Sequence, residues 1–382
     1  MIGLMITGRS PHETRIYDTR WEDRCMMFPS LDELLDSAHV VAIPTRTRFR
    51  GITVREAVIF EGPNGASEFS PFLEYDDAEA SRWLAAAIEF GWGEIPLPLR
   101  DSIQVNATVP AVGPEQVPAI LARFPGCTTA KVKVAERGQS LRDDVDRVRA
   151  VRKALGPGGL IRVDANGGWT IDEASKALTA LSEFGLDYAE QPCATVPELA
   201  ELRSRLSAEN RTVNSSASEF ESETRGLKVR RSTVRIAADE SVRKAEDPLA
   251  VARAGAADLI VVKAQPLGGI TPALRIIEEA GLPVIVSSAL DTSVGISMGL
   301  HLAAALPNGL LAGACGLGTV ALLEGDVAMD PLIPVNGELK VHRPVLNLAE
   351  LTRYRASTER ETWWRERVTR CAALVDTKGD YR

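Results

Sequence analysis

The chain has 382 residues, 45% hydrophobic and 25% charged, with a net charge of −8 and a pI of about 5.3. That is enough apolar material for a large core without staples. The acidic balance and the lack of Lys/Arg runs exclude an electrostatic case for a nucleic-acid or membrane-surface partner. Apolar stretches are strand-length, so no transmembrane helix is expected. The five scattered cysteines (Cys25, Cys127, Cys193, Cys315, Cys371) have no zinc-ligand spacing and read as reduced thiols of a cytoplasmic protein.

Residues 1–27 are polar and mixed, with four arginines and no apolar signal core, and read as an extension. Residues 28–104 read as a small α+β domain. LDELLDSA predicts a helix, VVAIPTRTRFRGITVREAVIFEG a strand hairpin, and DDAEASRWLAAAIEFGW a helix with an Ala/Leu face. From 105 to 320 strands and helices alternate. Helices are expected at Leu141–Ala154, from Thr170 to Phe184, from Thr195 to Leu206, at Lys244–Ala254, at Thr271–Ala280 before Gly281, and at Val294–Leu306. Thr170/Glu173 and Thr195/Glu198 have capping-box spacing. The intervening runs are nearly continuous Val, Ile and Leu, as in parallel strands buried on both faces. LLAGACG predicts a short last strand. Residues 321–382 return to mixed structure, with Trp363 and Trp364 in a charged helical stretch expected to pack on the first domain or on the barrel.

Five strands end on ionisable residues. TTAKVKV carries Lys131 and Lys133, LIRVDAN carries Asp164, LDYAEQP carries Glu190, VRIAADES carries Asp239, and DLIVVKAQP carries Lys263. Alternation puts Lys131 and Lys133 on one face, and Arg162, Asp164 and Asn166 on another. The carboxyl ends of barrel strands converge on one mouth. Three carboxylates there repel unless a cation lies among them, and Mg²⁺ suits an all-oxygen donor set that leaves room for substrate. A lysine near such a cation and beside another lysine is pushed toward its neutral, basic form. The cation would stabilise the enediolate left when a proton departs next to a carboxylate. Lys263, across the mouth, would be a partner acid or a fixed positive charge. A lone Lys-x-Lys is usually a solvated edge, and a lone Asp after a strand is usually a helix cap. The ordered set Lys-x-Lys, Asp, Glu, Asp, Lys within one alternating array is what carries the reading.

On these motifs the chain resembles the enolase superfamily, in its muconate-cycloisomerase-like branch. VDANGGW, YAEQPCAT, IAADESVRKAEDP, VKAQPLGG and SSALDTSVG carry the likeness, along with TRFRGITVREAVIFEG and SEFSPFLEY upstream. The resemblance spans about Phe28 to Pro334. It implies an α/β fold with a (β/α)7β TIM-like barrel under an α+β capping domain. It also implies syn dehydration of 2-succinyl-6-hydroxy-2,4-cyclohexadiene-1-carboxylate to 2-succinylbenzoate, a step of menaquinone biosynthesis. Lys133 would be the base and then the acid, Lys131 would tune it, and Lys263 would stabilise the enediolate. Asp164, Glu190 and Asp239 would bind Mg²⁺, with Mn²⁺ as a substitute. Ser287, Ser288, Gly316 and Leu317 would meet the substrate, a small-molecule dicarboxylate. Arg50, or its neighbours Arg46 and Arg48, would steer it. Asn166 and Glu240 would support the catalytic groups, Glu240 as a partner of a lysine. The sequence does not fix an oligomeric state.

Two features depart from the family pattern. Ala66 and Ser67 stand where an aromatic residue usually precedes SEFSPF. The step from Glu190 to Asp239 is 49 residues, against 31, 26 and 24 for the other catalytic steps. The excess lies in the polar run 207–233, read as a disordered insertion at the amino-terminal face of the barrel. The same catalytic residues also suit N-acylamino acid racemisation or dipeptide epimerisation. A non-catalytic barrel serving as a binding module is a further alternative, and its signature would be a lost metal ligand.

Overall fold

The structure, a computed structural model, describes residues 28–49, 51–216, 234–243 and 247–375. The expected extension 1–27, Arg50 and residues 217–233 of the polar run lie outside the described residues.

The first domain is built on an antiparallel sheet. Helix α1 (Leu31–Asp36) opens with a Ser30/Glu33 capping box and leads into β1 (Ala38–Phe49), β2 (Ile52–Gly62) and β3 (Gly65–Phe69), in the order β1-β2-β3. Helix α2 (Asp77–Trp92) is capped by Asp76. Its buried Ala80, Leu84 and Ala87 share a core with Phe60 and Phe69 of the sheet, as the Ala/Leu face predicts. Strand β4 (Ser102–Gln104) then leads to the second domain.

The barrel strands follow in strict sequence order. They are β5 (Ala107–Val109), β6 (Thr129–Lys133), β7 (Leu160–Asp164), β8 (Leu186–Glu190), β9 (Arg235–Ala238), β10 (Leu259–Val262) and β11 (Val284–Val286), all in one sheet. Each neighbouring pair is parallel. Between them lie α3 (Val117–Leu121), α4 (Leu141–Leu155), α5 (Ile171–Leu181), α6 (Val196–Ser216), α7 (Glu240–Arg243), α8 (Ala250–Arg253) and α9 (Ile270–Ala280), with α10 (Ser293–Ala305) after β11. Residues 310–316 close the ring as the eighth member. On one side the Ala312 and Gly316 amides donate to Val284 and Val286, and on the other the Cys315 amide donates to Gln104 O while the Asn106 amide donates to Cys315 O. The segment pairs through single bridges rather than a long ladder. The result is the (β/α)7β arrangement expected from the alternating pattern.

Strand β12 (Glu338–Lys340) pairs antiparallel with β4, and α11 (Leu348–Arg353) and α12 (Thr358–Ala372) follow. Helix α12 lies on the first domain. Trp364 is fully buried with its ring edge-on to Phe69, and its indole N–H donates to Glu56 Oε2 at 2.9 Å.

Two helices differ from the sequence reading. Helix α6 continues to Ser216 rather than stopping near Leu206. The run 207–216 is polar but holds no Gly or Pro, so nothing local ends the helix there. The helix expected over Lys244–Ala254 is instead the two short turns α7 and α8, with 244–246 outside the described residues. Pro248 disfavours helical backbone at Asp247 and divides the run.

Candidate active site

The strand register brings the ionisable tips together. Lys133 stands opposite Asp164 across β6–β7, and Asp164 stands opposite Glu190 across β7–β8. Asp239 follows the end of β9 and Lys263 the end of β10, so five adjacent strands feed one mouth. The chain turns sharply just past three of these tips: Ala135, Asn166 and Gln191 adopt left-handed backbone with φ of 59°, 47° and 39°. Such strain in non-glycine residues concentrates at functional sites. Gln191 is fully buried, and its Oε1 accepts from the amides of Asp239 (3.0 Å) and Ser241 (3.2 Å). It thereby fastens the Asp239 turn to the end of the Glu190 strand.

The side chains form alternating ion pairs. Lys131 Nζ lies 2.6 Å from Glu190 Oε1 and 3.1 Å from Asp164 Oδ2. Lys133 Nζ donates to Asp164 Oδ2 and to Asn166 Oδ1, each at 2.6 Å. Lys263 Nζ lies 2.5 Å from both oxygens of Asp239. Burial disfavours the Lys131 ammonium, but Glu190 and Asp164 outweigh it and raise its pKa well above the ordinary lysine value. Lys131 is therefore held as a cation rather than loosened by its lysine neighbour. Burial acts on Lys263 in the same sense, is only partly offset by Asp239, and leaves its pKa lowered. Burial also opposes the Asp164 and Asp239 carboxylates. Lys133 and Lys131 overcome it at Asp164, and Lys263 and Arg243 at Asp239, so both are held below the usual carboxylate range. Glu190 goes the other way, pushed up to about 7 by burial and then by Asp164.

A cavity opens above these groups, lined by Lys131, Lys133, Asp164, Asn166, Asp239 and Lys263 on its polar side. Ser287, Ser288 and Gly316 line it as well. The Ser288 hydroxyl donates to Gly316 O at 2.8 Å and pairs with the Thr319 hydroxyl at 2.8 Å. Gly316 packs close: a Cβ there would lie 2.5 Å from Ser287 Oγ. Leu317 does not line the cavity, and its side chain belongs to the buried core against Gly299. Arg46 and Arg48 are exposed and also stand off the cavity, and Arg50 is outside the described residues. Among the described residues, Glu240 bonds no lysine directly. It accepts from Asn166 Nδ2 at 3.1 Å, one residue removed from Lys133.

Sequence reasoning missed the cap's share of the wall and one arginine. Phe49, Phe72, Tyr75 and Trp83 come from the first domain, and Arg243 from α7. Lys133 Nζ lies 5.6 Å from the centroid of the Phe49 ring. Arg243 stands one helical turn past Asp239, a spacing that could have flagged it as a partner of that carboxylate.

As the side chains stand, no three acidic, imidazole or thiol groups among the described residues converge as a metal cluster, and lysine ammonium groups lie on Asp164 and Asp239. The donor chemistry nevertheless fits a hard divalent cation. Asp164, Glu190 and Asp239 supply only oxygen, and Glu190 Oε2 is buried without a hydrogen-bond partner.

A buried array of carboxylates and lysines at the carboxyl end of such a barrel, under an α+β cap, defines an enzyme of the enolase superfamily. The family descriptions "Enolase C-terminal domain-like" and "Enolase N-terminal domain-like" match residues 116–344 and 40–94. Enzymes of this superfamily generally use a divalent metal. Among curated proteins, the o-succinylbenzoate synthase of Mycobacterium marinum (strain ATCC BAA-535 / M) is 52% identical over 347 residues, 91% of this chain and 96% of the relative. That of Mycolicibacterium smegmatis (strain ATCC 700084 / mc(2)155) is 51% identical over 91% of this chain and 98% of its own length. The chain belongs to the o-succinylbenzoate synthase family. Solved structures share the fold at lower identity. Muconate cycloisomerase from Pseudomonas fluorescens aligns with a TM-score of 0.64 at 20% identity, over 84% of this chain and 98% of that one. The L-Ala-D/L-Glu epimerase from Bacillus subtilis aligns at 0.63 and 22%, over 80% and 96%. No helix among the described residues is long and apolar enough to cross a membrane.

Proposed function

We propose that the chain is a Mg²⁺-dependent hydro-lyase that dehydrates 2-succinyl-6-hydroxy-2,4-cyclohexadiene-1-carboxylate to 2-succinylbenzoate and water, in cytoplasmic menaquinone biosynthesis. The observation that carries this reading is the convergence of Lys133, Lys263, Asp164 and Asp239 on one cavity, with Glu190 paired to Lys131 of its lining, in a chain about half identical to named synthases. Asp164, Glu190 and Asp239 would hold Mg²⁺, or Mn²⁺ in its place. The bound cation supplies an anchor for the substrate carboxylate and charge stabilisation as the neighbouring proton leaves.

The remaining chemistry belongs to the chain. Lys133, neutral and released from Asp164, takes the proton from the ring carbon that bears the carboxylate. The electron pair moves into the carboxylate to give an enediolate of the substrate. The same ammonium then returns its proton to the departing hydroxyl on the same face, water leaves, and the ring becomes aromatic. A syn elimination therefore needs one base, and Lys133 stands at the open side of the array with Asn166 holding its Nζ. Lys131 is bound to two carboxylates, a placement suited to fixing charge around Lys133. Lys263 faces the substrate from the β10 side and stabilises the enediolate by charge and by contact with the ring face. Ser287, Ser288 and Gly316 sit where they can meet the succinyl arm.

A second reading, N-succinylamino acid racemisation or dipeptide epimerisation, is favoured by one observation: both Lys133 and Lys263 line the cavity, as proton exchange on two faces requires. Assaying both reactions with the same preparation tests the choice. 2-Succinylbenzoate formation that vanishes on chelation supports the proposal. Racemisation without dehydration sinks it. A non-catalytic barrel is disfavoured because the sequence retains every proposed ligand and lysine.

A further inference from the structure

We infer that Arg243 is a positioning residue that sets the separation of Lys133 and Lys263 and couples it to the cap. The inference rests on the proposed acid–base roles of those lysines.

Arg243 is 3% exposed and carries its charge into the interior. Each of its three bonds ends on a side chain. Nε donates to Asp239 Oδ1 at 3.0 Å, and that carboxylate holds Lys263. Nη2 donates to Glu240 Oε1 at 2.6 Å. The same Glu240 oxygen accepts from Asn166 Nδ2, and Asn166 Oδ1 receives Lys133 Nζ. Nη1 donates to the hydroxyl of Tyr75 at 3.0 Å, from the first domain. One planar guanidinium thus reaches both lysines by two routes, one step to Lys263's partner and two steps to Lys133's.

The geometry of the fork matters here. A guanidinium presents donors in fixed directions, whereas an ammonium is a point charge that cannot serve three divergent acceptors in one plane. Tyr75 is itself wedged in the cap, with Phe72 edge-on at 5.8 Å and Trp83 at 6.0 Å. Movement of the cap wall is therefore transmitted to the fork, and from the fork to both lysines. A merely structural arginine would affect folding. This one should affect the chemical step.

The test uses the full chain with saturating Mg²⁺ in the dehydration assay. Arg243→Lys should lower kcat by about tenfold to 100-fold, as losses of such supporting groups do. KM, and product affinity by calorimetry, should stay within about threefold, in a variant whose native circular dichroism and cooperative unfolding show that it is folded. Glu240→Gln should lower kcat alone, and in Arg243→Lys it should add less than about threefold, because members of one network are not additive. Tyr75→Phe should give a smaller loss in kcat. Undiminished kcat in folded Arg243→Lys, or independent multiplication of the two losses, overturns the positioning role. Should Arg243→Lys fail to fold, undiminished kcat in folded Glu240→Gln overturns it instead. A wild type that does not dehydrate overturns the proposed reaction, and this role with it, so the two failures are told apart.

Discussion

Lys133 and Asp164 face each other in register across two adjacent barrel strands, and their side chains meet at 2.6 Å. The base is thus stored on the carboxylate that the cation would claim. A cation held by Asp164 would compete with Lys133 for that carboxylate, and binding it would help to free the base.

Lys133→Ala should retain metal binding, since the three carboxylates remain. Its kcat should fall by about 10²- to 10⁴-fold, the usual contribution of a positioned base. Steady-state kinetics beside Mg²⁺ titration calorimetry checks both halves, and sustained turnover would assign the base elsewhere.

Glu190→Gln should weaken Mg²⁺ binding by at least about tenfold, and activity at limiting Mg²⁺ should fall in step. The fold should survive, because Glu190 Oε2 makes no hydrogen bond that the amide would lose. Unchanged Mg²⁺ affinity by calorimetry would remove Glu190 from the ligand set.

The joint between cap and barrel predicts a pH effect on stability. Glu68 and Asp291 are buried together beside Arg55, and Glu68 also accepts from the Thr292 and Gly295 amides. Burial, then Asp291, pushes Glu68 up to about 7 from an ordinary 4.5, and burial raises Asp291 as well. The folded cluster binds a proton that the unfolded chain has released, so stability is higher below neutrality and falls as pH rises toward and through about 7. Asp291→Asn removes the like charge. Against it, the wild type should lose on the order of 1 to 3 kcal/mol between pH 5.5 and 8.5. Parallel stability curves in urea would show that the pair does not share a proton.

Removing 217–233 should leave kcat/KM within about tenfold of the full chain. In sequence it lies between the end of α6 and the start of β9, and strand starts belong to the amino-terminal face of such a barrel, opposite the mouth. A much larger loss in a folded deletion variant would tie it to the site.

Much of the site was legible because each strand tip carries one charge, or two on TTAKVKV, at the end of an apolar run. TTAKVKV and LIRVDAN declare both the strand and its ionisable end, and parallel order follows from the alternation. Arg243 was legible only in its i,i+4 spacing from Asp239, and in SVRKAEDP it otherwise resembles a surface charge in a polar run. Its bond to Tyr75, 168 residues away, is linked to it by no local pattern. The cap wall of Phe49, Phe72 and Trp83 was hidden for the same reason, since only docking of the cap over the barrel brings it to the lysines. Leu317 follows Gly316 at the mouth, yet its side chain turns into the core, and strand-end position alone does not reveal that direction.

The proposed reaction removes water from a hydroxycyclohexadiene dicarboxylate by metal-assisted proton abstraction at Lys133. Its most direct measurement is 2-succinylbenzoate formation by the wild type and Lys133→Ala, with and without Mg²⁺, alongside N-succinylamino acid racemisation. Mg²⁺-dependent product is expected from the wild type, with a loss of at least about 100-fold in the variant. Racemisation with no 2-succinylbenzoate formed would contradict it.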